Sequence, residues 1–467
     1  MKLDINEIIK ACGGRLLNES TAGVTITGVS TDTRKISPGA LFVPIVGEQF
    51  DGHDYIGQAA ESGAVCALTE KHSPVDIGIP LVYVTSTRRA LLDLAGYYRQ
   101  RHDVKVVAVT GSAGKTTTKD MMYHVLSRKY KTKKTMGNFN NDIGLPLSIF
   151  QLEPGDEMLV LEMGMNHANE IHELSLTGAP DICVITHIGD AHIENFENRE
   201  GILHAKLEII DGLKPGGTVV LNGDDPLLTG KIARAKTGPF RVLYPGAENI
   251  IKSEPMGLRG SRCQFQWRGE NLQIDVPMPG AHMVMNALLA AVVGLEMGVP
   301  AGEIAGGFAD FTPPEGRLTV IEANDKKIIS DVYNSNPAAV REAIKVLCRE
   351  KTAQNRTVAI LGDIAELGHV AVERHKELGV FAAESDIDLL IAIGTLSRHI
   401  YEEFLSAGDA CADSSQNGRT ELPKARHFST VSEFLENYQD LLNPEDVVLI
   451  KASRSMAFEN ITNAITN

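Results

Sequence analysis

The sequence predicts an α/β protein of three domains: a small N-terminal α/β domain, a central parallel-sheet domain with a phosphate-binding loop, and a third alternating domain. Two observations carry this. Near-continuous apolar runs alternate with helical patterns along most of the chain, as in strands buried on both faces of a parallel sheet. Pro and Gly clusters interrupt that alternation where one core would end. A chain of 467 residues has room for about two to four domains.

Residues 1–100 carry the short runs ALFVPIVG and PLVYVTS, with helical patterns and the turn-rich DGHDYIG between them. Residues 101–313 carry the strands KVVAVT, EMLVLEMG, DICVITHIG and GGTVVLNG and the helix HMVMNALLAAVVGLEMG. Pro313, Pro314 and Gly316 in TPPEGR then break the pattern and mark a hinge. Residues 314–467 alternate again, through KKIISDV, RTVAILGD, DLLIAIG and EDVVLIKA, without a G-x-G-x-x-G dinucleotide fingerprint. The polar stretch Ser406–Lys424 is expected to be a surface insertion loop.

A net charge of −15 argues against a nucleic-acid scaffold, which needs a basic face. One locally positive loop can still hold a nucleotide. The six cysteines form no C-x-x-C pair and are expected to be reduced thiols. MKLDINEIIKACGG lacks the apolar core of a signal peptide, and the apolar run Ala287–Val299 is broken by Glu296 and too short to span a bilayer. A soluble cytoplasmic protein is the expectation.

Ligands of open parallel sheets lie at the carboxyl ends of strands, so the polar residues after each apolar run are the candidates. VVAVTGSAGKTTTKD, Val106–Asp120, has the back half of G-x-x-x-x-G-K-[ST], whereas Val109 stands where the front glycine belongs. A plain glycine turn before a helix is the alternative reading. Strand, glycines, Lys-Thr and helix together favour a shortened phosphate loop. Gly111, Ser112, Ala113, Gly114, Lys115, Thr116 and Thr117 are then the nucleotide-binding residues. Backbone N–H groups and the helix N-terminus face the anion, Lys115 reaches the β- and γ-phosphates, and the Thr116 hydroxyl can ligate Mg²⁺. Glu162 ends its strand as a second Mg²⁺ candidate. His192 follows DICVITHIG as a metal-site candidate, with His187, His167 and His172 as rivals.

Lys206 lies in the helical pattern REGILHAKLEIIDGL, in one row with Ile202 and Ile210. Either its stem is buried and its ammonium reaches water, or desolvation favours the neutral amine. A neutral amine can add CO₂ and become a carbamate, an anionic metal ligand. ATP and Mg²⁺ follow from these residues, but a switch, a motor, a kinase or a ligase would all fit them.

With these motifs in hand the chain resembles the Mur ligases, the ATP-dependent amide ligases of peptidoglycan synthesis. The likeness covers nearly the whole chain: TGSAGKTTTKD, GNFNNDIGLP, LEMGMNHANEI, DAHIENF, HAKLEI, HMVMNALLA, PPEGRLTV, SDVYNSNPAAV, LGDIAELG and IKASRSMAFE occur in the expected order. Within the family it is most similar to the branch that adds D-alanyl-D-alanine to UDP-N-acetylmuramoyl-tripeptide, giving ADP and phosphate. A sister ligase of the Mur or folylpolyglutamate type, with another amine substrate, is the alternative. His187 and Ala365 depart from the common residues at their positions.

The resemblance implies a UDP-sugar domain, an ATP domain and a C-terminal Rossmann-like domain for the amine, in a cytoplasmic, monomeric chain without nucleic-acid partner or membrane insertion. It implies Mg²⁺ held by Thr116, Glu162, His192 and Lys206 as its carbamate, hence a need for CO₂. Asn286 and Arg317 match nucleotide contacts, and Asp331 and Asn336 match positions near ATP. Asn138, Asn140, Asn141, Tyr333 and Asn334 are expected near the dipeptide and the reacting carboxylate. Asp32, Arg34, Asp51 and His53 belong to the UDP side, and Asp331 and Asp363 are candidates to orient or deprotonate the amine.

Overall fold

The computed structural model describes residues 1–18, 23–72, 77–413 and 424–467. Three α/β units follow one another. The N-terminal sheet has the order Arg15–Leu16, Leu81–Tyr83, Ala64–Thr69, Ala40–Phe42, Gly28–Ser30, parallel except at its first pair.

The central sheet is wholly parallel. Its order is Arg241–Leu243, Thr218–Leu221, Ile182–Ile185, Lys105–Thr110, Met158–Glu162, Thr132–Lys134. Val106 to Val109 are fully buried, as a strand covered on both faces must be. Helix Ala281–Glu296 is apolar nearly all round and packs on helix Lys115–Ser127. Strands Lys105–Thr110 and Met158–Glu162 are adjacent, which puts their carboxyl ends side by side.

The third sheet has the order Thr319–Ala323, Lys326–Asp331, Val447–Lys451, Thr357–Gly362, Leu389–Ile393, Lys424–Phe428, parallel beyond its first hairpin. TPPEGR lies between helix Ala301–Asp310 and strand Thr319–Ala323, in neither helix nor strand.

Two features differ from expectation. A three-stranded antiparallel sheet, Ile250–Pro255, Ser261–Trp267 and Glu270–Val276, is inserted in the central unit. In its middle strand buried and exposed residues alternate, so it covers the core with one face only. The expected loop over 406–424 is also shorter. Helix Arg398–Asp413 takes up its first part and a strand starts at Lys424, while 414–423 lie outside the described residues.

Among the described residues no helix is long and apolar enough to cross a membrane. Cys66, Cys183 and Cys263 are buried thiols, and burial pushes Cys66 up to about 12, which removes its reactivity.

Candidate active site

The strand Lys105–Thr110 ends on a loop that returns as helix Lys115–Ser127. Gly114 precedes the helix at φ 83°, and no side chain caps its first turn, so the leading N–H groups stay available to an anion. A Cβ on Gly111 would lie 2.0 Å from Thr186 Oγ1, so only glycine allows the loop to pass this neighbouring strand end. Ser112 N donates to the His187 carbonyl at 2.7 Å, which pins the loop further. Asn286 is buried with its side chain against Gly114. Lys115 Nζ donates to the Gly111 carbonyl at 2.8 Å, and burial lowers its pKa.

Thr116 and Glu162 meet at the ends of the adjacent strands. Thr116 Oγ1 donates to Glu162 Oε1 at 3.2 Å, and Asn140 Nδ2 donates to the same oxygen at 2.9 Å. The other oxygen, Glu162 Oε2, is buried without a hydrogen-bond partner. Lys119 Nζ lies 3.6 Å from that oxygen, and a carboxylate beside a threonine hydroxyl suits Mg²⁺, a hard cation that prefers oxygen ligands. Among the described residues no three His, Cys, Asp or Glu side chains form a metal cage.

Lys206 is 1% exposed, so the arrangement with its ammonium in water does not hold. Its side chain makes no hydrogen bond or ion pair with the described residues. Burial drives its pKa well below the usual lysine range, and the charge of Lys115 pushes the same way.

The four histidines separate by partner. His187 pairs with Asp225 at 2.8 Å, His172 with Asp211 at 2.8 Å, and exposed His167 with Glu170. His192 alone of the four reaches the third unit, with Nδ1 2.7 Å from Glu366 Oε2.

Arg317, the last residue of TPPEGR, donates from Nη2 to Thr116 Oγ1 at 2.9 Å, and its guanidinium lies 4.1 Å from the centre of the Tyr333 ring. It therefore ties the third unit to the phosphate loop. Lysine can neither stack as a plane nor fork. Arg317→Lys should lower kcat/KM for ATP about 10- to 100-fold. Steady-state titration with ATP checks this, and an unchanged value would remove Arg317 from the nucleotide site.

Several expected residues have other work. Both Asp363 oxygens accept backbone N–H groups, from Thr395 at 3.1 Å and Ser397 at 2.7 Å, so this carboxylate holds a loop. Asp331 pairs with buried Lys451 at 2.6 Å and accepts from Leu318 N at 3.3 Å. Asn336 caps helix Pro337–Arg349 by accepting from Ala339 N. Asn141 Oδ1 accepts from Gly144 N at 2.8 Å, just before helix Gly144–Ile149, whose N-cap is Ile143. Lys451 also donates to the Asn334 carbonyl.

His53 is buried with both ring nitrogens engaged, Nδ1 to Asp51 at 2.6 Å and Nε2 accepting from Glu70 N at 3.0 Å. It staples the N-terminal unit and has no nitrogen left for a ligand. Asp32 is held near pKa 2 by its pair with exposed Arg34. Asp32 lines a cleft of about 760 Å³ with Lys35, Tyr123, Lys134, Asn138 and Asn141, between the N-terminal and central units.

The chain is similar over its whole length to known proteins. Residues 25–109, 109–294 and 316–454 match the families described as "Mur ligase family, catalytic domain", "Mur ligase middle domain" and "Mur ligase, glutamate ligase domain". The UDP-N-acetylmuramoyl-tripeptide–D-alanyl-D-alanine ligase of Bacillus subtilis is 35% identical over 463 residues, covering 99% of this chain and 98% of that protein. The chain belongs to the Mur ligase family. Among solved structures it is similar to MurF from Acinetobacter baumannii (TM-score 0.90, 29% identity, 100% and 99% of the two chains covered). It is similar too to MurF ligase from Thermotoga maritima in complex with ADP (TM-score 0.80, 27% identity, 94% and 97% covered).

This Mur ligase also places residues at the site that its motifs did not single out. Lys119, 1% exposed, holds Nζ 3.6 Å from both Glu162 Oε2 and Asp120 Oδ1. Its signal is the i,i+4 spacing from Lys115, one helical turn on. Lys451 and Glu366 lie inside recognised motifs, but their partners are far away in sequence.

Proposed function

We propose that this chain is an ADP-forming ligase joining D-alanyl-D-alanine to UDP-N-acetylmuramoyl-tripeptide in peptidoglycan precursor synthesis. The observation that carries it is the meeting of phosphate loop, Glu162 and a third-unit residue, Arg317, at the single atom Thr116 Oγ1 or one bond from it. A switch needs only the loop and its metal. A site completed by a separate unit suits the coupling of ATP to a second substrate. The full-length likeness to ligases of that name supports the choice of substrates.

We assign residues 1–100 to the UDP-sugar, with the cleft at Asp32 and Asn138 as its site. Residues 101–313 bind ATP, and 314–467 receive the amine. Asn140, Asn141, Tyr333 and Asn334 border the reacting groups.

A carboxylate is a poor electrophile because it is anionic and its oxide leaves badly. Its oxygen attacks the γ-phosphorus, the bond to the ADP oxygen breaks, and an acyl phosphate forms. The amine nitrogen then attacks the carbonyl carbon and loses a proton, and phosphate departs. Lys115, the loop N–H groups and Arg317 supply the positive charge that these anions need. Mg²⁺, held by Thr116, Glu162, His192 and Lys206 as its carbamate, would neutralise phosphate charge. The buried, unpartnered amine of Lys206 is what favours the carbamate.

The test is phosphate release from ATP with UDP-N-acetylmuramoyl-tripeptide, with and without D-alanyl-D-alanine. Full release should need both and give a product heavier by one dipeptide. Release without either would mean a hydrolase, and release only with another amine would mean a sister ligase.

A further inference from the structure

We propose that Glu366 is a positioning residue that orients His192 for phosphoryl transfer, so that the third unit controls the first chemical step as well as the amine step. This rests on the ligase reading above.

The contact is built from both sides. Glu366 Oε2 lies 2.7 Å from His192 Nδ1. The two residues have left-handed backbones, φ 64° and 63°, which non-glycine residues rarely adopt outside constrained sites. Glu194 N donates to the Glu366 carbonyl at 3.3 Å, so backbone joins the segments beside the side-chain pair. Gly368 lies against Glu194, where a Cβ would come 2.7 Å from that residue's own Cβ. Asp190 accepts from Arg199 of its own unit and from Arg374 of the third, the latter at 2.9 Å. Two short segments, 190–199 and 366–374, thus grip each other next to the phosphate loop.

A carboxylate on Nδ1 fixes which ring nitrogen carries the proton. With Glu366 Oε2 2.7 Å away, we infer that Nδ1 carries the proton toward it and that Nε2 keeps its lone pair. His192 is then oriented only while the third unit is docked.

The experiment separates the first step from the second. Hydroxylamine traps the acyl phosphate as a hydroxamate, releasing phosphate, with ATP and UDP-N-acetylmuramoyl-tripeptide present and the dipeptide left out. Glu366→Ala should lower hydroxamate formation about 10- to 100-fold, with KM for the dipeptide unchanged in the full reaction. Glu366→Gln, whose amide oxygen still accepts from Nδ1–H, should recover most of the rate. Arg374→Ala, which loosens the same contact without touching His192, should have a small effect.

Nitrogen-15 spectra of His192 should show the Nδ1–H form in the native protein and a mixture in Glu366→Ala. A normal hydroxamate rate in Glu366→Ala, or equal damage from Arg374→Ala, would overturn the proposal in favour of simple docking. Should Glu366→Ala fail to fold, Glu366→Asp withdraws the carboxylate by one methylene and has the same expected outcomes. If the native protein itself formed no hydroxamate, the ligase reading would fail, while the histidine spectra would still report on the contact.

Discussion

Replacing Lys206 by Ala should abolish ligation, by about a thousandfold or more, and leave the fold intact. The amine is fully enclosed and lacks a partner among the described residues, so it contributes nothing by pairing and costs desolvation. Removing it therefore relieves a penalty, and Lys206→Met should match or exceed the native melting temperature. The sign with pH follows from proton counts. Below the ordinary lysine pKa of about 10.4, the unfolded chain holds a proton on Lys206 that the folded chain resists. The unfolded state binds more protons, so native stability rises with pH through that window. The Lys206→Met advantage should shrink as pH climbs, as melting curves from pH 6 to 10 would show. A carbamate gives the same direction, since it too excludes the proton. Chemical rescue tells the two apart. Formate or acetate should restore part of the activity of Lys206→Ala if a carbamate anion is the working group. An unrescued variant, with no carbamate resonance from ¹³C-bicarbonate in the native protein, would leave Lys206 as a plain buried amine.

How much of this was legible in the sequence depends on how local each signal is. The phosphate loop, Glu162 at its strand end and Lys206 within an apolar row are patterns of a few residues, and they read directly. Why glycine stands at position 111 needs the fold, since a Cβ there would strike Thr186 of a neighbouring strand end. The antiparallel insert was missed although its strands alternate with period two. In the sequence it lies between apolar strands and an apolar helix of one parallel unit, whose stronger apolar runs mask the change of period. Asn336 precedes Pro337, a helix-start signature of N-cap followed by proline, and its contact with Ala339 N follows from that local pattern. Pairings such as Glu366 with His192, or Lys451 with Asp331, join residues more than a hundred positions apart. Only the packing of one unit on another, or of one strand on the next, creates them.

Glu162→Gln should lose activity and stability together, for separable reasons. The amide keeps an oxygen to accept from Thr116 and Asn140, so the geometry at Oε1 survives. The charge does not. Lys119, 1% exposed and 3.6 Å from Oε2, then keeps only Asp120 as an anionic partner, and Asp120 is already shared with Lys134 at 2.7 Å. Removing one member of a buried pair costs about 3 kcal/mol or more, because the remaining charge stays desolvated. The loss of a carboxylate for Mg²⁺ should cost several kcal/mol of charge stabilisation, roughly a thousandfold in rate. The double variant Glu162→Gln/Lys119→Met separates the two. It removes both charges, so denaturant melts should recover most of the lost stability while ligation stays at the level of the single variant. If activity returned with stability, Glu162 would act only by neutralising Lys119, and the open oxygen at Oε2 would have no catalytic meaning. If stability failed to return, Lys119 would be held chiefly by Asp120 and the Gly137 carbonyl it also reaches, 3.3 Å away. The pair would then be two neighbours and not a unit.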